Sequence, residues 1–260
     1  MSQEIKPLLD VMDALLGENG CPWDKEQTHQ TLRKNLLEES HEVIEAIDNE
    51  DMMHLQEELG DLLLQVVFHA KLAEQAGHFN FQDVVDGISD KLKRRHPHIF
   101  GDVKANNAEE VLSNWEEIKK KEKAAKGEEA AKSIMSDLPP TLPALLKAEK
   151  VQQKAHRVGF DWDDIEGPKA KIYEEMQEIE DARQGNGDVE EEVGDLLFSV
   201  VNMARFLQVD PEKALTMTTN KFIRRFKAME GKIGLDKKNF ADYTVEELDM
   251  IWNTVKQENF

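Results

Sequence analysis

The chain has 260 residues, enough for one large domain or two ordinary ones, with 40% hydrophobic and 33% charged residues and a formal net charge of −20. Such acidity argues against a general nucleic-acid binder, whose affinity rests on Lys and Arg neutralising phosphates. A membrane span is not expected either, because no apolar stretch approaches the ~20 residues a bilayer needs, and the best run, Leu62 to Phe68, is broken by Gln65.

The N-terminal segment MSQEIKPLLDVMDALL mixes acids into its apolar positions and lacks a small-residue cleavage site, so export is not expected. The lone Cys21 forms neither an internal disulfide nor a cysteine zinc site, which points to a reducing cytoplasm. It lies in Gly20-Cys-Pro-Trp23-Asp24, where Trp23, like Trp162 further along, is assigned to packing near the domain entrance. Beyond it, Leu36, Leu37, Val43, Ile44 and Ile47 recur at threes and fours and predict an amphipathic helix that carries Glu38, Glu39 and Glu42. Asn49-Glu50-Asp51 sits where the acidic helices must turn back, and asparagine there allows positive φ at little cost. Leu55, Leu59, Leu62, Leu63, Val66 and Val67 predict a second helix bearing Glu57, Glu58 and Asp61. Lys91, Arg94 and Arg95 follow, then His96 and His98 around Pro97, read as loop or surface residues, and Trp115. Lys119 to Lys132, rich in Lys, Glu and Ala, extends a solvated helix, and the three prolines between Asp137 and Pro143 stop it, since proline lacks the amide donor and clashes with the preceding turn.

The same series of blocks then recurs. Gly159-Phe-Asp-Trp162-Asp163 echoes Gly20 to Asp24 at an offset of 139, Glu174-Glu175-Met-Gln-Glu178 echoes Glu38 to Glu42 at 136, and Glu191-Glu192-Val-Gly-Asp195 echoes Glu57 to Asp61 at 134. Lys221, Arg224 and Arg225 echo Lys91, Arg94 and Arg95 at 130, and Glu246-Glu247 with Trp252 echoes Glu109-Glu110 with Trp115 at 137. Five blocks in one order predict two copies of one domain: residues 1–120, a charged and Pro-rich linker at 121–140, and residues 141–260. With helical periodicity in both copies and no alternating strand pattern, the expected fold class is all-α, two tandem helical bundles each built on an acidic helical hairpin.

The acids are concentrated. Windows 38–61 and 174–195 hold ten each, against no Lys or Arg in the first and Arg183 alone in the second, nearly the whole of the −20. On a helix, residues three and four apart share a face, so Glu174, Glu175 and Glu178 form one cluster and Glu192 with Asp195 another. If the two helices fold back through Gly185–Asp188, the clusters face each other and repel unless a cation lies between them. A hard all-oxygen donor set selects Mg²⁺ or Mn²⁺ over zinc, and Mg²⁺ recruits phosphate oxygens as further ligands. A single Glu-Glu-x-x-Glu is ordinarily a solvated face; two spaced acidic motifs, each followed by an apolar run and both duplicated, argue for a site.

Glu-Glu-x-x-Glu followed after a turn by Glu-x-x-Asp, in tandem, with Gly-Cys-Pro-Trp-Asp ahead of the first copy and Gly-Phe-Asp-Trp-Asp ahead of the second, resembles the MazG family of nucleoside triphosphate pyrophosphohydrolases in the all-α NTP pyrophosphatase superfamily. The resemblance covers essentially the whole chain. It implies Mg²⁺-dependent hydrolysis of nucleoside triphosphates, ATP among them, to NMP and pyrophosphate by water attack at the α-phosphorus, in a homodimer. By position it implies metal ligands Glu175, Glu178, Glu192 and Asp195, with Glu174 as base or water-orienting residue. Lys171, Lys221, Arg224 and Arg225 would hold phosphates, as Arg forks and Lys point charges do, and Trp252 would contact the nucleotide near its base or sugar.

The first copy keeps Glu39, Glu42, Glu58 and Asp61 as a counterpart metal set. The copies differ where the second has Asn202, an amide able to bond a ligand, and the first has Phe68, which only packs. The resemblance makes the C-terminal copy the main catalyst and the N-terminal one structural, regulatory or differently selective. Two other readings fit the letters: a narrower pyrophosphohydrolase acting on dUTP, dCTP or a phosphoribosyl metabolite, and a non-catalytic acidic adaptor that docks a basic partner. Nothing in the residues names a protein partner.

Overall fold

The computed structural model describes residues 5–105, 107–125, 133–136, 138–235 and 239–258. The linker residues 126–132 and 137 therefore lie outside the described set, as does the side chain of Glu109. Among the described residues there is no strand, and the fold is all-α. The chain divides into two compact units, residues 1–128 and 129–260. No described helix is long and apolar enough to cross a membrane.

In the first unit the helices are α1 (Lys6–Leu16), α2 (Pro22–Lys25), α3 (Arg33–Asp48), α4 (Met52–Gln75), α5 (Phe81–Arg95), α6 (Pro97–Phe100) and α7 (Ala108–Ala125). Helix α7 runs to Ala125, into the Lys/Glu/Ala-rich stretch expected to extend a helix. Helices α3 and α4 form the acidic hairpin. Asp51 caps α4, its Oδ1 accepting from the N–H groups of Met53 and His54 at 3.1 and 3.0 Å, a contact worth about 1 kcal/mol. The positive φ of this turn falls on Glu50 (55°) and not on Asn49, which stays right-handed as the C-cap of α3. Met12, Leu16, Leu32, Val67 and Phe68 form the buried core beside the hairpin. Gln65, the break in the apolar run of α4, is itself buried.

In the second unit the helices are α8 (Ala144–His156), α9 (Glu166–Arg183), α10 (Val189–Phe206), α11 (Pro211–Leu235) and α12 (Val245–Gln257). Helices α9 and α10 form the acidic hairpin, α8 and α11 pack on α10, and α12 packs on α11. Gly185 takes φ 95° in the hairpin turn, and Asp188 caps α10 by accepting from Glu190 N–H at 2.9 Å. Met229, Ile233 and Val255 are the buried core under α11 and α12. The block Glu246-Glu247 serves α12 locally: Glu247 accepts from Thr244 N–H at 2.8 Å while Thr244 Oγ1 accepts from Glu247 N–H at 3.3 Å, a reciprocal cap.

Candidate functional site

Each hairpin brings its carboxylates together. In the second unit Glu175, Glu192 and Asp195 each offer an oxygen within 4.8 Å of the others. The first unit does the same with Glu39, Glu58 and Asp61. Helix periodicity explains the arms, since Glu192 and Asp195 are one turn apart; the 24- or 18-residue length of α4 or α10 matters less than the turn that folds it back. Glu178 lies beside Glu175 at the edge of the second cluster, and Glu42 lies beside Glu39 and Glu58 in the first.

The electrostatics follow. Glu178 is held above the ordinary carboxyl value of 4.5, first by its bond to Glu175 and then by desolvation. Glu192 is raised by desolvation and by Glu175 and Asp195. In the first unit Glu39 is raised by desolvation and then Asp61, and Glu58 by desolvation and then Glu42, with His54 opposing. Repulsion among like charges in a drying groove is the common cause.

The two units bury different acids. Glu175, on the first arm, is 1% exposed, whereas in the first unit it is Glu58, on the second arm, that is buried at 7%. Each has a basic side chain on the same helix, one turn earlier. Lys171 Nζ lies 2.5 Å from Glu175 Oε1 and 2.8 Å from Glu174 Oε1, and these bonds hold its ammonium well above its ordinary value. His54 Nε2 lies 2.9 Å from Glu58 Oε1. In both cases the second carboxylate oxygen, Glu175 Oε2 or Glu58 Oε2, is buried with no hydrogen-bond partner. An orphaned anionic oxygen costs stability unless something positive meets it. Oxygens around Mg²⁺ at about 2.1 Å are at most about 4.2 Å apart, so clusters within 4.8 Å fit a hard divalent cation after a small contraction.

The basic residues divide differently. In the first unit Arg95 Nη2 and Arg94 Nε reach Glu122 of α7 at 2.7 and 3.2 Å. In the second, Lys221 and Arg224 are exposed on α11 and, among the described residues, make no ion pair, while Arg225 is half-buried. Trp252 is half-buried against the α11–α12 core, its ring 5.0 Å from Phe222. Glu174 is exposed and tied to Lys171.

Asn202 differs from the sequence expectation: it is not an open ligand group but a buried acceptor, bonded by Arg205 Nε at 2.9 Å. Arg205 also donates from Nη2 to Asp161 Oδ1 at 2.6 Å. Burial works to raise the Asp161 carboxyl, but the bonds from Arg205 and the Trp162 N–H outweigh it and hold the group below 3.8. The only sequence signal for this network was a polar residue in an apolar run; a pair 44 residues apart leaves no periodic trace.

A family model described as the MazG nucleotide pyrophosphohydrolase domain matches residues 27–100 and 165–229, the stretches that hold the two hairpins. A protein of Escherichia coli (strain K12) named nucleoside triphosphate pyrophosphohydrolase is 45% identical over 260 residues, 98% of each chain. One from Thermotoga maritima, named nucleoside triphosphate pyrophosphohydrolase/pyrophosphatase MazG, is 46% identical over 251 residues, 96% of this chain and 94% of its own. The crystal structure of a mazG-related protein from Thermotoga maritima is 30% identical, with a TM-score of 0.40, and covers 44% of this chain and 98% of its own. Acidic hairpins in duplicate, matched by the family model in both units and by full-length relatives, make this chain a member of the MazG nucleotide pyrophosphohydrolase family.

Proposed function

We propose that the protein hydrolyses nucleoside triphosphates, ATP among them, to NMP and pyrophosphate with Mg²⁺ or Mn²⁺, chiefly in its second unit. The observation that carries this reading is the Glu175–Glu192–Asp195 cluster with its buried, unpartnered Glu175 oxygen. Glu175, Glu178, Glu192 and Asp195 would hold the ion, which supplies Lewis-acid neutralisation of phosphate charge. Phosphoryl chemistry otherwise needs mainly positioning. Lys171, Lys221, Arg224 and Arg225 hold phosphate oxygens, Trp252 contacts the base or sugar, and Glu174 orients the water that adds to the α-phosphorus as pyrophosphate leaves. Two features support the second unit as the main catalyst. Its Lys221 and Arg224 are not neutralised as Arg94 and Arg95 are by Glu122, and its cation beside the cluster is a lysine, charged at any working pH. Glu39, Glu42, Glu58 and Asp61 form the counterpart ion set of the first unit.

The working form is a homodimer. Leu37, Ile44 and Leu59 in one hairpin and Met176, Val193 and Leu197 in the other are exposed at 42–59%, and apolar helix faces of that kind are covered by another copy in stable bundles. Sedimentation equilibrium tests this, a monomer at micromolar concentration contradicting it. Pyrophosphate release from a panel of NTPs, with Mg²⁺ and with EDTA, tests the activity: release only with the ion is expected, and no release from any nucleotide overturns it.

A further inference from the structure

The acidic hairpin of the second unit is joined by a turn at one end only; at the other, where α9 begins and α10 finishes, nothing covalent resists the repulsion between the two acidic arms. The structure places a polar node there. Arg205, in the last turn of α10, is 13% exposed and donates to Asp161, 11% exposed, at 2.6 Å and to Asn202 at 2.9 Å. Asp161 Oδ1 also accepts from Trp162 N–H at 3.0 Å, and its Oδ2 faces His156 Nδ1 at 2.7 Å. The Trp162 side chain rests on Gly167, in the first turn of α9, so closely that a Cβ there would overlap the indole. Lys171 and Glu175 lie four and eight residues further along the same side of α9.

We infer that Arg205 is a positioning residue: acting through Asp161 and Trp162 on Gly167, it fixes the start of α9 against the end of α10 and so sets the register of Glu175 against Glu192 and Asp195. This rests on the reading of those acids as an ion site. The clamp belongs to the second unit alone. By the repeat offsets, Lys71 stands where Arg205 does, Phe68 where Asn202 does and Pro22 where Asp161 does. Pro22 has no carboxylate, and Lys71 turns instead to Asp13 of α1 and to Glu74. The Gly159–Asp163 motif thus gains a task that its first-unit echo does not share: it transmits the position of one arm of the hairpin to the other.

The test uses full-length protein in a Glu39→Gln background, so that the first-unit cluster does not mask the second, and Mn²⁺ as the probe, with free ion read by electron paramagnetic resonance. Arg205→Met is expected to weaken Mn²⁺ binding about tenfold, the low end of what outer-shell changes cost a metal site, with Arg205→Lys between it and the parent. Pyrophosphate release falls at limiting Mn²⁺ and recovers at saturating Mn²⁺, which a general loss of structure does not produce. Trp162→Ala has the same effect, and the double variant is no worse than either single one, since both break one chain of contacts. Should Arg205→Met fail to fold, Gly167→Ala leaves every charge in place, displaces Trp162 and is expected to show the same tenfold loss. Unchanged Mn²⁺ affinity in the folded variants, with the parent binding normally, overturns the clamp and leaves the proposed function standing. A parent that binds no Mn²⁺ overturns that function, and the clamp with it.

Discussion

Replacing Lys171 with Met removes the cation beside the most deeply buried acid of the second unit and keeps the side chain's length and apolar stem. Glu175 is 2% exposed at its side chain and Lys171 is 35% exposed, their atoms 2.5 Å apart. Removing one partner of a fully buried pair costs about 3–5 kcal/mol, whereas an exposed pair is worth about 0–1 kcal/mol. With one partner buried and the other partly solvated, a loss of about 2 kcal/mol is expected when no divalent ion is present. For a unit of this size about 4 °C of melting temperature corresponds to each kcal/mol, so calorimetry in EDTA should show a fall of about 8 °C. Mg²⁺ changes the comparison. On the proposed reading Lys171 and the ion compete for the same carboxylate, so the variant takes up Mg²⁺ more readily, and binding about tenfold tighter than the parent's adds about 1.4 kcal/mol more stability to the variant at saturating ion. The deficit should therefore shrink to less than half in Mg²⁺. An equal deficit with and without the ion would mean that Lys171 and Mg²⁺ do not share Glu175. No deficit in EDTA would mean that Glu175 needs no counter-cation at all.

Two further outcomes follow from the site. Glu175→Ala should lower steady-state pyrophosphate release by at least tenfold and Glu39→Ala by much less, because Arg94 and Arg95 of the first unit are held by Glu122 while Lys221 and Arg224 of the second make no ion pair among the described residues; equal losses refute that asymmetry. Glu178 and Glu192, with Glu39 and Glu58, have folded-state values raised above 4.5, so the stability they contribute is full below that pH and is lost as pH rises through the raised values. Ion binding needs the same groups deprotonated. The melting temperature in Mg²⁺ minus that in EDTA should thus widen as pH rises from 4.5 toward neutrality, and a gap that is constant or narrows contradicts the assignment of these groups.

The helical arms, the turns and the opposition of Glu175 to Glu192 and Asp195 were all legible before any coordinates, because they depend on spacing. A period of 3.6 residues assigns each side chain to a face, and a duplicated pattern says which face matters. Burial and partner choice have no such period. Nothing in two nearly identical acidic motifs tells that Glu175 is buried in one unit and Glu58 in the other, or that Asn202 is enclosed and accepts from Arg205 rather than from a ligand. Those outcomes depend on which neighbouring helix removes water from which carboxylate, and on contacts such as Arg205 to Asp161 between residues far apart along the chain. Local periodicity places the charges; desolvation by the surrounding helices decides which of them must find a cation.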